Sequence, residues 1–418
     1  MEFIPRDFDE VTEKRDLQSA PNTTYLPSAK PNYTYQECVA AIQEEQPVFT
    51  PSIAPEYREW QLKNPLQLAW SPLRLFLLLI SPILELLVFH TNISALRTDS
   101  SWKPVTILEI RRWIACRLEM VDKTPHTAAM DTFWTSNATS RRYLGQQRFR
   151  AIERFLSINS DPGPLTNTAP WYWKVQSALD LIRGQLECVF IPSSHICVDE
   201  STIKFHGRKI DTYLLTHKPA KEGFVCYTIV SYSGLIHDFI VSSSQDGPEG
   251  VSQGITIDLP TRTMRIRKKG TTGFKGKQIH LPPTKALVYV LYSRITQAFR
   301  DQQFVYYMDN LFGDPHLARA LLTCNIGCCG TVRKQASGIP PILVAIIAQK
   351  KCMLAPDQII SRTVDNLVNI SLWRDHLRQN TVIFISTVHS PDDLRSTQRR
   401  STLRRSSEHR SGFVRPTI

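Results

Sequence analysis

The clearest apolar runs lie in the second half of the chain. His195-Ile196-Cys197-Val198 ends in Asp199, and Val305-Tyr306-Tyr307-Met308 ends in Asp309, so each predicts a short strand that delivers a carboxylate at its end. Between them, Phe224 to Tyr232 and Leu235 to Val241 are rich in β-branched and aromatic residues. Ser233-Gly234 between these runs predicts a hairpin turn. Residues Thr284 to Phe299 place Ala286, Leu287, Val290, Leu291, Ile295, Ala298 and Phe299 at helical spacing. Beyond Asp309 the pattern predicts a helix over Pro315 to Leu322 and a strand over Gly327 to Arg333.

Strand, hairpin, helix, strand is the order of an α/β, ribonuclease-H-like mixed sheet core. In that arrangement the first and fourth strands adjoin, and Asp199 and Asp309 face one another. A helical N-terminal domain is expected upstream. Leu73 to Phe89 is a long apolar segment, Val105 to Met120 is amphipathic, Gly145 to Leu156 alternates basic and apolar groups, and Val175 to Val189 leads into the first core strand. The Leu73 to Phe89 segment contains Arg74, Pro82 and Glu85, so its uncharged run is shorter than the roughly 20 residues that cross a bilayer. It reads as a buried helix pair broken at Ser81-Pro82, with no membrane as partner.

Two carboxylates at neighbouring strand ends suit divalent-metal chemistry, which needs several acidic ligands around two cations. The alternative for either aspartate is structural, as a cap on the next turn or a partner for Arg208 or Arg333. Glu200 and Asn310 point elsewhere if their strands continue, because side chains alternate across a strand.

The residues around these acids form a series. It comprises Trp102-Lys103-Pro104-Val105-Thr106 with Glu109-Ile110, Arg148-Phe149 through Arg154-Phe155-Leu156, and Trp171-Tyr172-Trp173-Lys174-Val175. Val198-Asp199-Glu200 with Phe205-His206-Gly207-Arg208, Lys218-Pro219-Ala220-Lys221-Glu222-Gly223 and Met308-Asp309-Asn310-Leu311-Phe312 follow. Cys329-Gly330-Thr331-Val332-Arg333 and Ile385-Ser386-Thr387-Val388-His389 complete it. In this order the series resembles the piggyBac transposases and their domesticated derivatives, over residues 66 to 390. The resemblance implies a DNA transposase with three aspartates that bind two Mg²⁺ ions, cut DNA strands by hydrolysis and join the freed 3′-hydroxyl to target DNA. Asp199 matches the first aspartate and Asp309 the second.

The third aspartate of the family follows the Ser-Thr-Val-His strand in a glycine-rich stretch, and no such stretch precedes Ile418. The family's closing cysteine-rich zinc module is not found in these 418 residues either. The resemblance therefore reads as a C-terminally truncated, catalytically incomplete derivative that retains DNA binding. An active enzyme remains the alternative if another acid or a partner chain completes the site. The acids to weigh are Asp365, Asp375, Asp392, Asp393 and Glu408, whose ordinary role is that of a solvated surface group. A relic without function is the third reading. Two stretches depart from the family pattern: Ile339 to Ile347 is more apolar, and Trp373 is followed by Arg374-Asp375-His376-Leu377.

Charge favours a nucleic-acid partner. Lys plus Arg number 50 against 38 Asp plus Glu, a net +12. Residues 1 to 60 hold eleven acids and five basic residues, so the rest of the chain carries +18. Arg262, Arg265, Arg267, Lys268, Lys269, Lys275 and Lys277 fall in a stretch without acids, with glycines at 270, 273 and 276. This insertion, about 244 to 283, is expected to be a flexible loop that meets DNA phosphates, although such runs are also common on surfaces without a partner. Seven arginines between Arg395 and Arg415 mark a disordered tail, which suits a phosphate-binding arm or a nuclear import signal.

The domain reading is an acidic, mostly disordered leader over 1–60, a helical dimerisation and DNA-binding domain over 61–187, the core over 188–390 and the tail over 391–418. The N-terminus has no secretory pattern. Nine scattered cysteines suit reduced thiols, and Cys324, Cys328 and Cys329 read as small hydrophobes before a zinc site. No phosphate-binding loop or dinucleotide fingerprint occurs, so no small-molecule cofactor is expected. The expected partners are double-stranded DNA, at transposon ends, and a second copy of the chain, in the nucleus.

Overall fold

Thr34 and Glu37 start the first helix by bonding reciprocally. The Thr34 hydroxyl accepts the Glu37 N–H at 3.3 Å, and the Glu37 carboxylate accepts the Thr34 N–H at 2.6 Å. The computed structural model describes residues 33–44, 49, 51–52, 55–66, 70–123, 133–134, 140–161, 169–205, 211–216, 218, 221–259, 277–349, 353–375, 380–391, 394–397 and 413–416. Helix α1 (Tyr35–Gln43) buries Cys38 and Ala41, and Arg362 donates to the Ala41 carbonyl at 2.9 Å and pairs with Glu44. Helix α1 lies within the leader expected to be mostly disordered, where a capped helix with a small apolar face has a core surface to cover. Contacts divide the chain into two units, residues 61–191 and residues 1–60 with 192–418.

The first unit is helical. It comprises β1 (Gln61–Leu62), α2 (Pro72–Leu96), α3 (Ile107–Lys123), α4 (Ser140–Tyr143), α5 (Gln146–Phe155), α6 (Gln176–Val189) and β2 (Phe190–Ile191), with β1 and β2 antiparallel. Its buried cluster joins Leu84 and Ala95 of α2 to Ile110 and Cys116 of α3 and Phe149, Ile152 and Phe155 of α5. Phe149 lies between Trp113 and Trp134, with ring centroids 6.1 and 4.8 Å away. Arg148 stacks over Trp102 and bonds Glu109 at 2.8 Å, which ties α5 to the start of α3.

Leu73 to Phe89 forms one helix, not the expected buried pair, and of α2 only Leu84, Thr91 and Ala95 are buried. Pro82 sits inside α2 and removes one backbone donor, but packing against α3, α5 and α6 holds the helix across it. The helix also has the length and apolarity of a membrane span, with mean hydropathy 2.1 over eighteen residues.

The second unit is built on a ten-stranded sheet. Its first strands are β3 (His195–Lys204), β4 (Tyr213–Leu214), β5 (Glu222–Ser231), β6 (Ile236–Ser243) and β7 (Gly247–Pro248). A separate ribbon of β8 (Ile255–Leu259) and β9 (Lys277–Leu281) follows, then α7 (Pro283–Ala298), β10 (Val305–Met308), α8 (Pro315–Thr323) and β11 (Gly327–Val332). The unit continues with α9 (Pro341–Ala348), β12 (Ile359–Val364), β13 (Val368–Arg374) and β14 (Thr381–Ser386), and ends in an antiparallel pair, β15 (Leu394–Thr397) and β16 (Phe413–Pro416).

Strand order across the large sheet is β12-β13-β14-β11-β10-β3-β5-β6-β7, with β4 on β5. The order β6-β5-β3-β10-β11, with β3, β10 and β11 parallel and the hairpin strands antiparallel, is the ribonuclease-H-like arrangement expected from the sequence. Gly234 makes the hairpin turn with φ +86°, and its N–H donates to the Ser231 carbonyl at 2.9 Å. Helices α7, α8 and α9 cover the sheet. Leu287, Leu291, Tyr292, Leu317, Leu321 and Leu343 are fully buried among Ile196, Tyr306, Ile370 and Ile385. The outer ends of the basic insertion are also ordered, as the β8–β9 ribbon, because Ile279 and Leu281 are buried in this core.

Adjacent cysteines on β11 diverge as a strand requires. Cys328 joins the main core, and Cys329 joins Val305 and Val388 on the other side. The Ile339 to Ile347 run, more apolar than the family pattern, supplies Leu343, Ala345 and Ile346 of helix α9 to the core.

Candidate active site

Parallel pairing of β10 with β3 sets Val305, Tyr306 and Tyr307 opposite His195, Ile196 and Cys197. Continuing this register places Asp309 level with Asp199. Asp309 follows the last residue of β10, as expected from the sequence. Asp199 does not end its strand. β3 runs on to Lys204 because β5 pairs with it through Lys204↔Gly223, and Asp199 stands opposite Thr228. The site therefore lies where β10 stops and β3 continues.

Asp309 opens a tight turn. Its Oδ1 accepts the Leu311 N–H at 2.9 Å and the Phe312 N–H at 3.3 Å, and its carbonyl accepts the Gly313 N–H at 2.8 Å. Phe312 is fully buried and anchors the turn. Gly313 is required by space: a Cβ there would lie 1.8 Å from the Thr331 carbonyl oxygen of β11. Asp199 Oδ1 accepts the Glu200 N–H at 2.8 Å, and Thr228 Oγ1 donates to the Asp199 carbonyl at 3.4 Å.

Asp309 is solvent-accessible, yet surrounding protein displaces enough water to raise its carboxyl above the usual range. The two turn N–H donors oppose that rise, while the negative charges of Asp199 and Glu200 add to it. Glu200 is partly balanced by Lys218, whose Nζ lies 2.5 Å from its Oε1. Behind the turn, burial lowers Lys285 of α7 to about 8; Asp314 and then Asp309 oppose the shift, and Arg333 adds to it. Lys285 Nζ donates to the Leu311 carbonyl.

Asp309 caps its turn, as the structural alternative requires. Neither Asp199 nor Asp309 forms an ion pair among the described residues, so the alternative of an arginine partner finds no support there. Two neighbouring carboxylates, one with a raised pKa, fit one side of a divalent-cation site by donor chemistry. Among the described residues, however, no group of three or more His, Cys, Asp or Glu is arranged to hold a metal. Asp365 pairs with Arg319, and the Asp375 N–H donates to Asn380 beside β13. Asp392, Asp393 and Glu408 lie outside the described residues, as do Arg208, Arg262, Arg265, Arg267, Lys268, Lys269 and Lys275. Lys277 opens β9 opposite Leu259.

Sequence reasoning missed Lys285 and Gly313. Lys285 stands in Pro-Thr-Lys-Ala-Leu, where a lysine in the first turn of a helix reads as a solvated residue. Gly313 carried a usable signal, since Asp-Asn-Leu-Phe-Gly-Asp-Pro before a helix is a turn sequence.

A family model described as Transposase IS4 matches residues 71–411. No curated protein sequence matches significantly. Among solved structures, the chain is similar to a piggyBac transposase determined by cryo-electron microscopy as a synaptic complex with hairpin DNA, at TM-score 0.58 and 17% identity, over 79% of this chain and 63% of that one. The chain thus spans less than two thirds of that transposase. With the sheet order, this likeness fixes the fold, and the family match extends across both units. The chain belongs to the Transposase IS4 family, of piggyBac type.

Proposed function

We propose that this protein binds DNA duplexes as a piggyBac-type transposase derivative, and that as a lone 418-residue chain it does not complete strand cleavage. Asp199 and Asp309 are the inherited metal positions. The observation that carries this reading is their shared register at the end of β10, with no third His, Cys, Asp or Glu among the described residues arranged with them to hold a metal. A body of net charge +18 and the run from Arg262 to Lys277 support a DNA partner. The structural neighbour, a transposase with DNA bound, supports the same partner. A homodimer formed through the helical unit and a nuclear location belong to this reading.

A divalent cation such as Mg²⁺, when bound, supplies polarisation of a phosphoryl oxygen and a more acidic water. In this chain Asp199 and Asp309 would hold it, and the turn donors on Asp309 Oδ1 would fix the direction of that carboxylate.

The shared register of Asp309 and Asp199 also suits a second reading, an active enzyme whose remaining ligand comes from another acid or a partner chain. Mn²⁺-dependent nicking of duplex DNA by the full chain separates the two. Cleavage no greater than that of D309A is expected; cleavage abolished by D309A would make the protein an active transposase. DNA affinity, read by fluorescence anisotropy, should fall steeply with salt, and neutralising Arg265, Arg267, Lys268 and Lys269 should make the slope shallower by about 0.9 for each phosphate that is no longer neutralised. Binding that is indifferent to salt would remove DNA as the partner.

A further inference from the structure

We propose that Lys285 is a positioning residue for Asp309, holding the 309–313 turn from behind; the proposal rests on the reading of Asp309 as a metal position only for its consequence, not for the contact itself. An ammonium at the start of α7 ordinarily stays in water, because burying it costs solvation. Here the Lys285 side chain is directed inward and its Nζ donates to the Leu311 carbonyl, in the middle of the turn that carries Asp309. Three hydrogen bonds close the turn from within. Asp309 Oδ1 takes the Leu311 and Phe312 N–H groups, and the Asp309 carbonyl takes the Gly313 N–H.

The Leu311 carbonyl belongs to the peptide that links Leu311 to Phe312, and the N–H of that same peptide donates to Asp309 Oδ1. A donor on its carbonyl polarises the peptide and fixes its plane, which directs the N–H toward Oδ1. Lys285 thus acts on the carboxylate through one peptide unit. Its own burial is offset by Asp314, the N-cap of α8, whose Oδ1 accepts the His316 and Leu317 N–H groups at 2.7 and 3.2 Å. One ammonium therefore ties the start of α7 to the Asp309 turn. A cation beside a metal position weakens metal binding if charge alone matters, whereas a positioning residue strengthens it, so the two roles predict opposite signs.

The test uses the full chain and the variants K285M and K285R, with D309A as reference. Amide hydrogen exchange in the metal-free protein reads the turn directly. K285M should speed exchange at Leu311, Phe312 and Gly313 at least tenfold while the middle of α7 keeps wild-type rates, and K285R should restore most of the protection. Unchanged exchange at these amides, or a uniform rise along α7 and β10, would overturn the proposal. Mn²⁺ affinity is measured in parallel by calorimetry, where K285M should bind about fivefold more weakly; tighter binding by K285M would assign Lys285 a charge role and overturn positioning. Wild-type protein that binds Mn²⁺ no better than D309A would refute the metal reading, and hydrogen exchange would then decide the Lys285 contact. If K285M does not fold, K285Q supports the same comparison.

Discussion

Gly313→Ala tests how the site is built. The added methyl would lie 1.8 Å from the Thr331 carbonyl oxygen, 2.9 Å from its carbon and 3.2 Å from the Asp309 carbonyl oxygen, all backbone atoms. No rotamer change can relieve this, so the turn and β11 must separate by roughly 1.5 Å to reach ordinary contact. Overpacking of this kind costs about 1–3 kcal/mol, and loss of the Gly313 N–H bond adds about 1 kcal/mol. Reduced freedom of the unfolded chain returns about 0.5 kcal/mol, which leaves a net loss of about 1.5–3.5 kcal/mol. Gly184 is the control: it lies exposed in the middle of α6 with nothing within 4 Å of a built Cβ, so Gly184→Ala should stabilise by about 0.5–1 kcal/mol. Urea denaturation of both variants, followed by circular dichroism, gives the two signs, and Mn²⁺ titration should show weaker binding for G313A only. A G313A protein within about 0.5 kcal/mol of wild type with undiminished Mn²⁺ binding would refute the packing account.

Two further outcomes follow from burial. Burial lowers His237 to about 4, despite an opposing pull from Glu59, and the imidazole contacts Ser231, so the folded state holds the ring neutral while the unfolded chain protonates near 6.5. The unfolded state binds the extra proton between these values, so this contribution is fully present above about pH 6.5 and is lost as pH falls toward 4; between pH 7 and 5 wild type should lose about 2 kcal/mol more stability than His237→Gln, measured by urea titration. Equal losses would show that His237 does not differ between the two states. Phe149→Ala, at a fully buried ring between Trp113 and Trp134, should cost about 3–5 kcal/mol and lower the thermal midpoint read by tryptophan fluorescence; an unchanged midpoint would show that this aromatic cluster does not hold the helical unit.

Much of the core could be read from local patterns. The hairpin around Ser233-Gly234, the helices over 283–298 and 315–323 and the strands ending at Asp309 and Val332 follow from period, β-branched content and turn residues, because each of these signals lies within a few neighbouring residues. The family series around Asp199 and Asp309 was equally legible. Local pattern failed where a distant partner decides. Polar residues after Asp199 predict a strand end, yet pairing with β5 carries β3 five residues further. Pro82 predicts a break, yet packing from three other helices carries α2 through it. Only the register of β10 on β3 brings Asp309 level with Asp199 across more than a hundred residues of chain, and only the fold turns Lys285 inward onto the Leu311 carbonyl. Which elements form and which acids they carry could be read from neighbouring residues alone, since those choices depend on local sterics and solvation. Tertiary structure decided how far strands extend, which side chains meet and which ionisable groups lose water, since these depend on contacts between residues far apart in the chain.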